Sequence, residues 1–260
     1  MGILNITPDS FSDAGTYFEP KKAIDHALAM AEDGADIIDI GGESTRPGSD
    51  PVSVEDEMRR ILPVIKELAG RIPIPVSVDT YKSEVARASL DAGAEMVNDI
   101  SGLRFDPEMA TLVARYRAPV ALMHIKGTPK SMQANPTYDN LMAEIKEYLR
   151  ESIELARAAG IAEDRIIIDP GIGFGKTFDH NLEVIRRLSE FQELKKPVLV
   201  GPSRKAFIGK VLGNLPVTDR LEGTAAAVAI SILNGANIVR VHDVKAMARV
   251  ARMADAIIRS

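Results

Sequence analysis

Six segments of this chain, LNITPDSF, DIIDIGGESTRPG, VSVDT, MVNDISG, IIIDPGIGFGK and VRVHD, share one construction. Each is a short run rich in Val, Ile or Leu that gives way to polar residues. Runs of this kind read as strands buried on both faces, the pattern of a parallel sheet covered by helices. Asp, Asn or His at the end of such a run puts polar groups at the rim of an apolar core. That placement is costly unless the groups are paired or solvated, so it marks the rim as a place for ligands.

Between these runs the pattern changes to helical periodicity. Strands are expected at Ile3–Thr7, Asp36–Gly41, Val76–Asp79, Met96–Ile100, Val120–His124, Ile166–Asp169, Val198–Gly201 and Ile238–His242. Helices are expected at Lys21–Glu32, Ser53–Ala69, Lys82–Ala92, Tyr138–Ala159 and Asp179–Arg187. In the fourth of these, Leu141, Ile145, Leu149 and Ile153 form one apolar stripe. A weak repeat (EDGADIIDI, DAGAEMVNDI, LNGANIVRV) places Gly34, Gly93 and Gly235 where a helix ends in a left-handed residue. Eight alternating units without a linker favour a single-domain α/β fold over residues 1–260, a (β/α)8 TIM barrel. A doubly wound open sheet is the competitor. It is disfavoured because polar residues cap nearly every strand instead of clustering at one switch point.

Composition narrows the function. The formal net charge is −5 with signs interleaved and no Lys/Arg block, which argues against nucleic acid as a partner. No apolar run is long enough to span a bilayer, and no signal-peptide pattern opens the chain, so a cytoplasmic protein is expected. With no cysteine, disulfides, thiolate nucleophiles and Cys-ligated zinc are excluded. The helix Leu221–Asn234 is apolar on nearly every side, as if one face met the barrel and the other a second subunit; a homodimer through helices near the C-terminus follows.

GIGFGKT resembles a phosphate loop but fails on spacing, because Pro170 stands where the first glycine of GxxxxGK[ST] belongs. It reads instead as a tight loop carrying Phe174 over the barrel mouth. Asp79 and Asp169 end their strands; for Asp79 capping of the next helix is a fair competitor, whereas Asp169 is followed by Pro-Gly and is poorly explained that way. Carboxylates at a barrel mouth suit a ligand with adjacent N–H donors, and Asn98 would complete such an edge. Lys205, Arg240 and His242 lie at or after the last two strands, where barrels bind phosphate. Loops Asn5–Gly15 and Gly41–Gly48 read as lids. His26 and His180 read as solvated, and His124 as core or supporting packing.

The strings NITPDSFSDAG, GGESTRPG, VDT, NDISG, DPGIGFGK, SRK and VRVHD, in this order, resemble dihydropteroate synthase over essentially the whole chain. The resemblance implies condensation of 6-hydroxymethyl-7,8-dihydropterin pyrophosphate with p-aminobenzoate, giving 7,8-dihydropteroate and pyrophosphate, with sulfonamides competing for the second site. It implies that Asp79, Asn98, Asp169 and Lys205 hold the pterin and that Arg240 stacks on it. It also implies that Arg240, His242 and Asn5 hold the diphosphate, Asn5 with Mg2+. Thr45, Arg46, Pro47, Phe11, Phe174 and the strand-seven turn Gly201, Ser203 and Lys205 would form the p-aminobenzoate side, with Asp13 facing the developing cation. The chain departs from the family in SDAG for SDGG and in Ala206. It also lacks the short segment expected ahead of strand one. Two rivals stay open: a pterin-binding paralogue without synthase activity, and a barrel transferring a methyl group from a methylated folate.

Overall fold

The computed structural model describes residues 1–7 and 20–259. The strands are β1 (Gly2–Asn5), β2 (Ile38–Gly41), β3 (Val76–Asp79), β4 (Met96–Asp99), β5 (Val120–Met123), β6 (Ile166–Asp169), β7 (Leu199–Val200) and β8 (Ile238–Val239). β1 to β6 form one parallel sheet in sequence order, and β7 pairs parallel with β8. Bridges Ile168↔Val198 and Gly2↔Val241 join the two pieces. Ile3 N donates to Val241 O at 2.9 Å, and Val241 N to Met1 O at 2.9 Å, so the ring closes as a barrel and not as an open sheet.

Strand alternation then sorts the side chains. On β2, Ile38 and Ile40 face the helices while Asp39 and Gly41 face the interior. The lower interior is apolar, filled by Met1, Met96, Ala121 and Leu199. One rung at the upper end joins Asn5, Gly41, Asp79 and Asn98 in register. The polar residues therefore gather at the C-terminal end of the strands by periodicity alone.

Helices α1 (Pro20–Glu32), α2 (Val54–Leu68), α3 (Ser83–Asp91), α4 (Met109–Tyr116), α5 (Leu141–Ala158), α6 (Phe178–Arg186), α7 (Ala206–Val211), α8 (Leu221–Leu233) and α9 (Val244–Arg259) cover the outside. Their starts are chemically marked. Ser53 Oγ accepts from Asp56 N at 3.1 Å at the head of α2. Thr177 and His180 form a reciprocal capping box on α6, so His180, read from sequence as merely solvated, has a structural role. Helix α5 begins three residues later than its periodicity suggested. Asn140 caps it through Ala143 N at 3.2 Å, and Tyr138 turns away to donate to Gly175 O at 2.6 Å.

Strands seven and eight are shorter than expected. Val198 N is taken by the side chain of Asn237 at 2.8 Å, and Pro202, soon after β7, has no N–H to continue a ladder. Helix α8 buries Thr224, Ala227, Val228 and Ser231, but Leu221, Ile230 and Leu233 on its other side are exposed. Among the described residues no helix is long and apolar enough to cross a membrane.

Gly34, Gly93 and Gly235 have φ of +98°, +110° and +101°, as the repeat suggested. At Gly93 a Cβ would come within 2.5 Å of Ala69 Cβ, whereas at Gly160 (φ +90°) it would meet nothing within 4 Å. Gly160→Ala should therefore cost about 1 kcal/mol of backbone strain. Gly93→Ala should cost about 1–3 kcal/mol more through overlap. Urea denaturation of the two variants checks this, and equal losses would show that the helix-end contact has room to spare.

Candidate active site

A cavity opens at the C-terminal end of the barrel. Asp79, Asn98, Asp169, Lys205 and Arg240 give it polar walls; Ile100, Met123, Ile172 and Phe174 give it apolar ones, with Thr45 and Gly201 completing the rim. Eight of the residues singled out in the sequence thus meet in one place: Thr45, Asp79, Asn98, Asp169, Phe174, Gly201, Lys205 and Arg240.

The floor is an ion-pair network. Arg240 Nε donates to Asp39 Oδ2 at 2.5 Å and Nη2 to Asp79 Oδ2 at 2.6 Å. This settles the alternative for Asp79: it does not cap α3, whose first turn is served by Asp106 accepting from Ser83 N at 2.7 Å. Burial pushes the Asp79 carboxyl up, opposed by the adjacent Arg240 charge. Asp169 Oδ1 accepts from Gly171 N at 2.7 Å, and burial raises that carboxyl to about 6 against the pull of this bond and of Lys205. Lys205 Nζ lies 4.3 Å from the Phe174 ring centroid; burial and the Arg240 charge lower its ammonium to about 8. A ligand here meets carboxylate acceptors on one side and cations on another.

Ser203 and His242 sit beside this cavity, Ser203 Oγ 3.0 Å from His242 Nδ1. Burial, helped by Arg240, lowers the imidazole to about 4, so it is neutral at physiological pH. Asn5 ends β1 on the same rung as Asp79. Arg46 and Pro47 are exposed on the loop after β2 and are not among the lining residues. Phe11 and Asp13 lie outside the described residues.

Two supporting networks were not anticipated. Glu43, in the loop after β2, accepts from Lys82 Nζ at 2.6 Å, from Tyr81 OH at 2.8 Å and from Val52 N at 2.9 Å. Lys82 Nζ also donates to Glu57 of α2 at 2.6 Å and to Val52 O at 2.6 Å. Both stems of the loop that carries Thr45 are therefore tied to one partly buried ammonium. Behind the loop after β6, Lys176 is buried, not extended toward solvent as a phosphate-loop lysine would be. Its Nζ meets His124 Nδ1 at 2.9 Å and Phe174 O at 3.1 Å. Burial lowers Lys176 to about 7 and pushes His124 well below its usual range, so the ring is neutral. His124 is thus a supporting residue of the Phe174 loop, packed edge-on against Tyr148 at 4.8 Å.

Asp39 was also missed. It lies in the middle of DIIDI, and attention to strand-terminal residues passes over it. The signal was available, because Asp39 shares a face with Gly41, two residues nearer the rim.

Comparison with known proteins agrees with this geometry. The family model described as "Pterin binding enzyme" matches residues 1–242. Dihydropteroate synthase of Synechocystis is 49% identical over 259 residues, covering 100% of this chain and 90% of that protein. A Clostridium difficile dihydropteroate synthase structure, determined in the presence of pteroic acid, superposes with a TM-score of 0.93 at 48% identity, covering 100% of this chain and 96% of that one. The Xanthomonas albilineans dihydropteroate synthase with 4-aminobenzoic acid gives a TM-score of 0.93 at 45% identity, covering 100% and 92%. The chain belongs to the dihydropteroate synthase family of pterin-binding (β/α)8 barrels.

Lys82→Met would leave Glu43 and Glu57 facing each other without their cation, with side-chain exposures of 6% and 1%. Breaking such a buried pair costs about 3–5 kcal/mol. Urea denaturation should show that loss, and limited proteolysis should show faster cutting between Glu43 and Val52. An unchanged midpoint would mean that the tether adds nothing.

Proposed function

We propose that this chain condenses 6-hydroxymethyl-7,8-dihydropterin pyrophosphate with p-aminobenzoate, releasing 7,8-dihydropteroate and pyrophosphate. The observation that carries the reading is the convergence of Asp79, Asn98 and Asp169 with Lys205 and Arg240 in one cavity. A pterin edge offers adjacent N–H donors to the carboxylates and a carbonyl to the lysine. The Arg240 guanidinium can stack on the ring. Cations at the ends of β7 and β8 suit the diphosphate, which a methyl-transfer barrel would not need.

In the reaction the methylene C–O bond breaks and its electron pair leaves with the diphosphate. The aniline nitrogen of p-aminobenzoate then forms the C–N bond and afterwards loses a proton. Arg240, with His242 beside it, stabilises the leaving charge. The Phe174 loop, Thr45 and the turn around Ser203 shield the carbocation-like centre from water and seat the aminobenzoate, where sulfonamides compete. Arg46 and Pro47 reach it by movement of their loop; the resemblance gives Phe11 to the aminobenzoate side and Asp13 to the developing cation. Mg2+ is the expected cofactor, with the Asn5 amide oxygen as a ligand. Among the described residues no group of three or more His, Asp or Glu side chains forms a cation cage. A cation taking most of its oxygens from diphosphate and water fits this donor set. Once bound, it neutralises charge on the leaving group.

The exposed apolar side chains of α8 and α9, including Leu233 at 66% and Met253 at 62%, support a homodimer through the C-terminal helices. A cytoplasmic location fits the composition.

Calorimetry with dihydropterin pyrophosphate and Mg2+, followed by p-aminobenzoate, tests the reading: binding and then turnover is the expected result, and absence of pterin binding refutes it. Asp169→Asn exchanges an acceptor pair for a mixed group and should weaken pterin binding about 10- to 100-fold. Because N–H donors require the ionised carboxylate and Asp169 titrates near about 6, affinity should rise from pH 5 to pH 7 and then level off. A flat profile across that window would remove Asp169 from the contact.

A further inference from the structure

We propose that Asp39 is a positioning residue of this site: from beneath the cavity it fixes the guanidinium of Arg240 and the amide of Asn98 together. The inference rests on the reading of the cavity as a pterin site.

Asp39 is fully buried at 0% exposure and does not line the cavity. Its Oδ2 receives two donors, Arg240 Nε at 2.5 Å and Asn98 Nδ2 at 3.0 Å. Those donors come from the residue just after β8 and from β4, on opposite sides of β2 around the ring.

Each bond fixes an orientation. A guanidinium is planar, and with Nε held by Asp39 and Nη2 by Asp79 its plane cannot turn about the side-chain axis. A ligand then meets it by its faces or by Nη1. For Asn98, a flipped amide would set its oxygen against a carboxylate oxygen, so the NH2 end must face Asp39. The amide oxygen is left for the ligand, alongside the Asp79 and Asp169 carboxylates. Asp39 thereby determines that this edge of the cavity accepts hydrogen bonds, which selects a ligand edge of N–H donors.

Stability alone does not account for the residue. Arg240 already has a carboxylate partner in Asp79 at 2.6 Å. Asp39 Oδ1 is buried without a hydrogen-bond partner among the described residues, a costly state for a carboxylate.

The test compares wild type with the isosteric Asp39→Asn. Calorimetry gives Kd for dihydropterin pyrophosphate, and steady-state kinetics give kcat and the KM for p-aminobenzoate at saturating pterin. Pterin affinity should fall about 10- to 100-fold, as when a charge-assisted hydrogen bond is lost. The KM for p-aminobenzoate should stay within about twofold, and Asn98→Ala should cost less pterin affinity in Asp39→Asn than in wild type. Equal pterin affinity in wild type and Asp39→Asn overturns the inference alone. Failure of wild type to bind the pterin overturns the reading of the cavity, and the inference with it. If Asp39→Asn does not melt cooperatively, Asp39→Ser takes its place, with room for a bridging water. If neither variant folds, Asp39 is a structural residue and the inference is wrong.

Discussion

The site depends on one buried cation. Arg240 enters the barrel interior from the last strand and is held by carboxylates from the second and third. Burying a guanidinium is affordable only if its donors are paired, and burying two carboxylates beside it only if they share it. That mutual requirement explains why the polar layer is contiguous. At this depth a lone Asp79 would take up a proton and a lone Arg240 would be driven toward solvent. Together they present a surface that is charged and held in place by its own hydrogen bonds.

Around that floor the loops are stiffened from behind. Lys82 gathers Glu43, Glu57 and Val52 O at the stems of the loop that carries Thr45. Lys176 ties the carbonyl of Phe174 to the His124 ring. Both devices use an ammonium with several donors to fasten irregular backbone that strand ladders cannot reach. Neither lysine is among the residues that line the cavity, so each acts by fixing loop position.

Much of this was legible in the sequence because the barrel obeys a period of two. Once Ile38 and Ile40 face the helices, Asp39 and Gly41 must face inward, and the residue ending each strand must stand at the mouth. Asp79 and Asp169 were found that way, and Arg240 through the alternation of VRVH. What escaped notice was set by pairing across the ring, which no local pattern encodes. Asp39 looks like an interruption in an apolar run until Arg240, 201 residues later, is brought against it. Lys176 has no partner legible in GIGFGKT, a string already excluded as a phosphate loop, until the fold brings His124 against it. Arg46 and Pro47 stand in a motif whose backbone leaves them exposed and outside the cavity lining, which strand periodicity cannot specify.

The same logic bears on how selectivity arises. In and beneath the cavity three carboxylates, Asp39 below and Asp79 and Asp169 in the wall, stand against two cations, Arg240 and Lys205. Asp39 is spent entirely on orientation, and Arg240 is largely consumed by the first two carboxylates. The groups left to meet a ligand are therefore fewer than the charges present, and more directional. Asp169 and the outer face of Asp79 accept, Asn98 accepts beside them, Lys205 donates, and the Arg240 plane offers a flat cationic surface. A heterocycle matching all of these must be planar, rich in N–H along one edge and carry a carbonyl at the lysine. Fixing that pattern in a low-dielectric floor makes a mismatched edge costly, because each unpaired buried group then loses its solvent without gaining a partner.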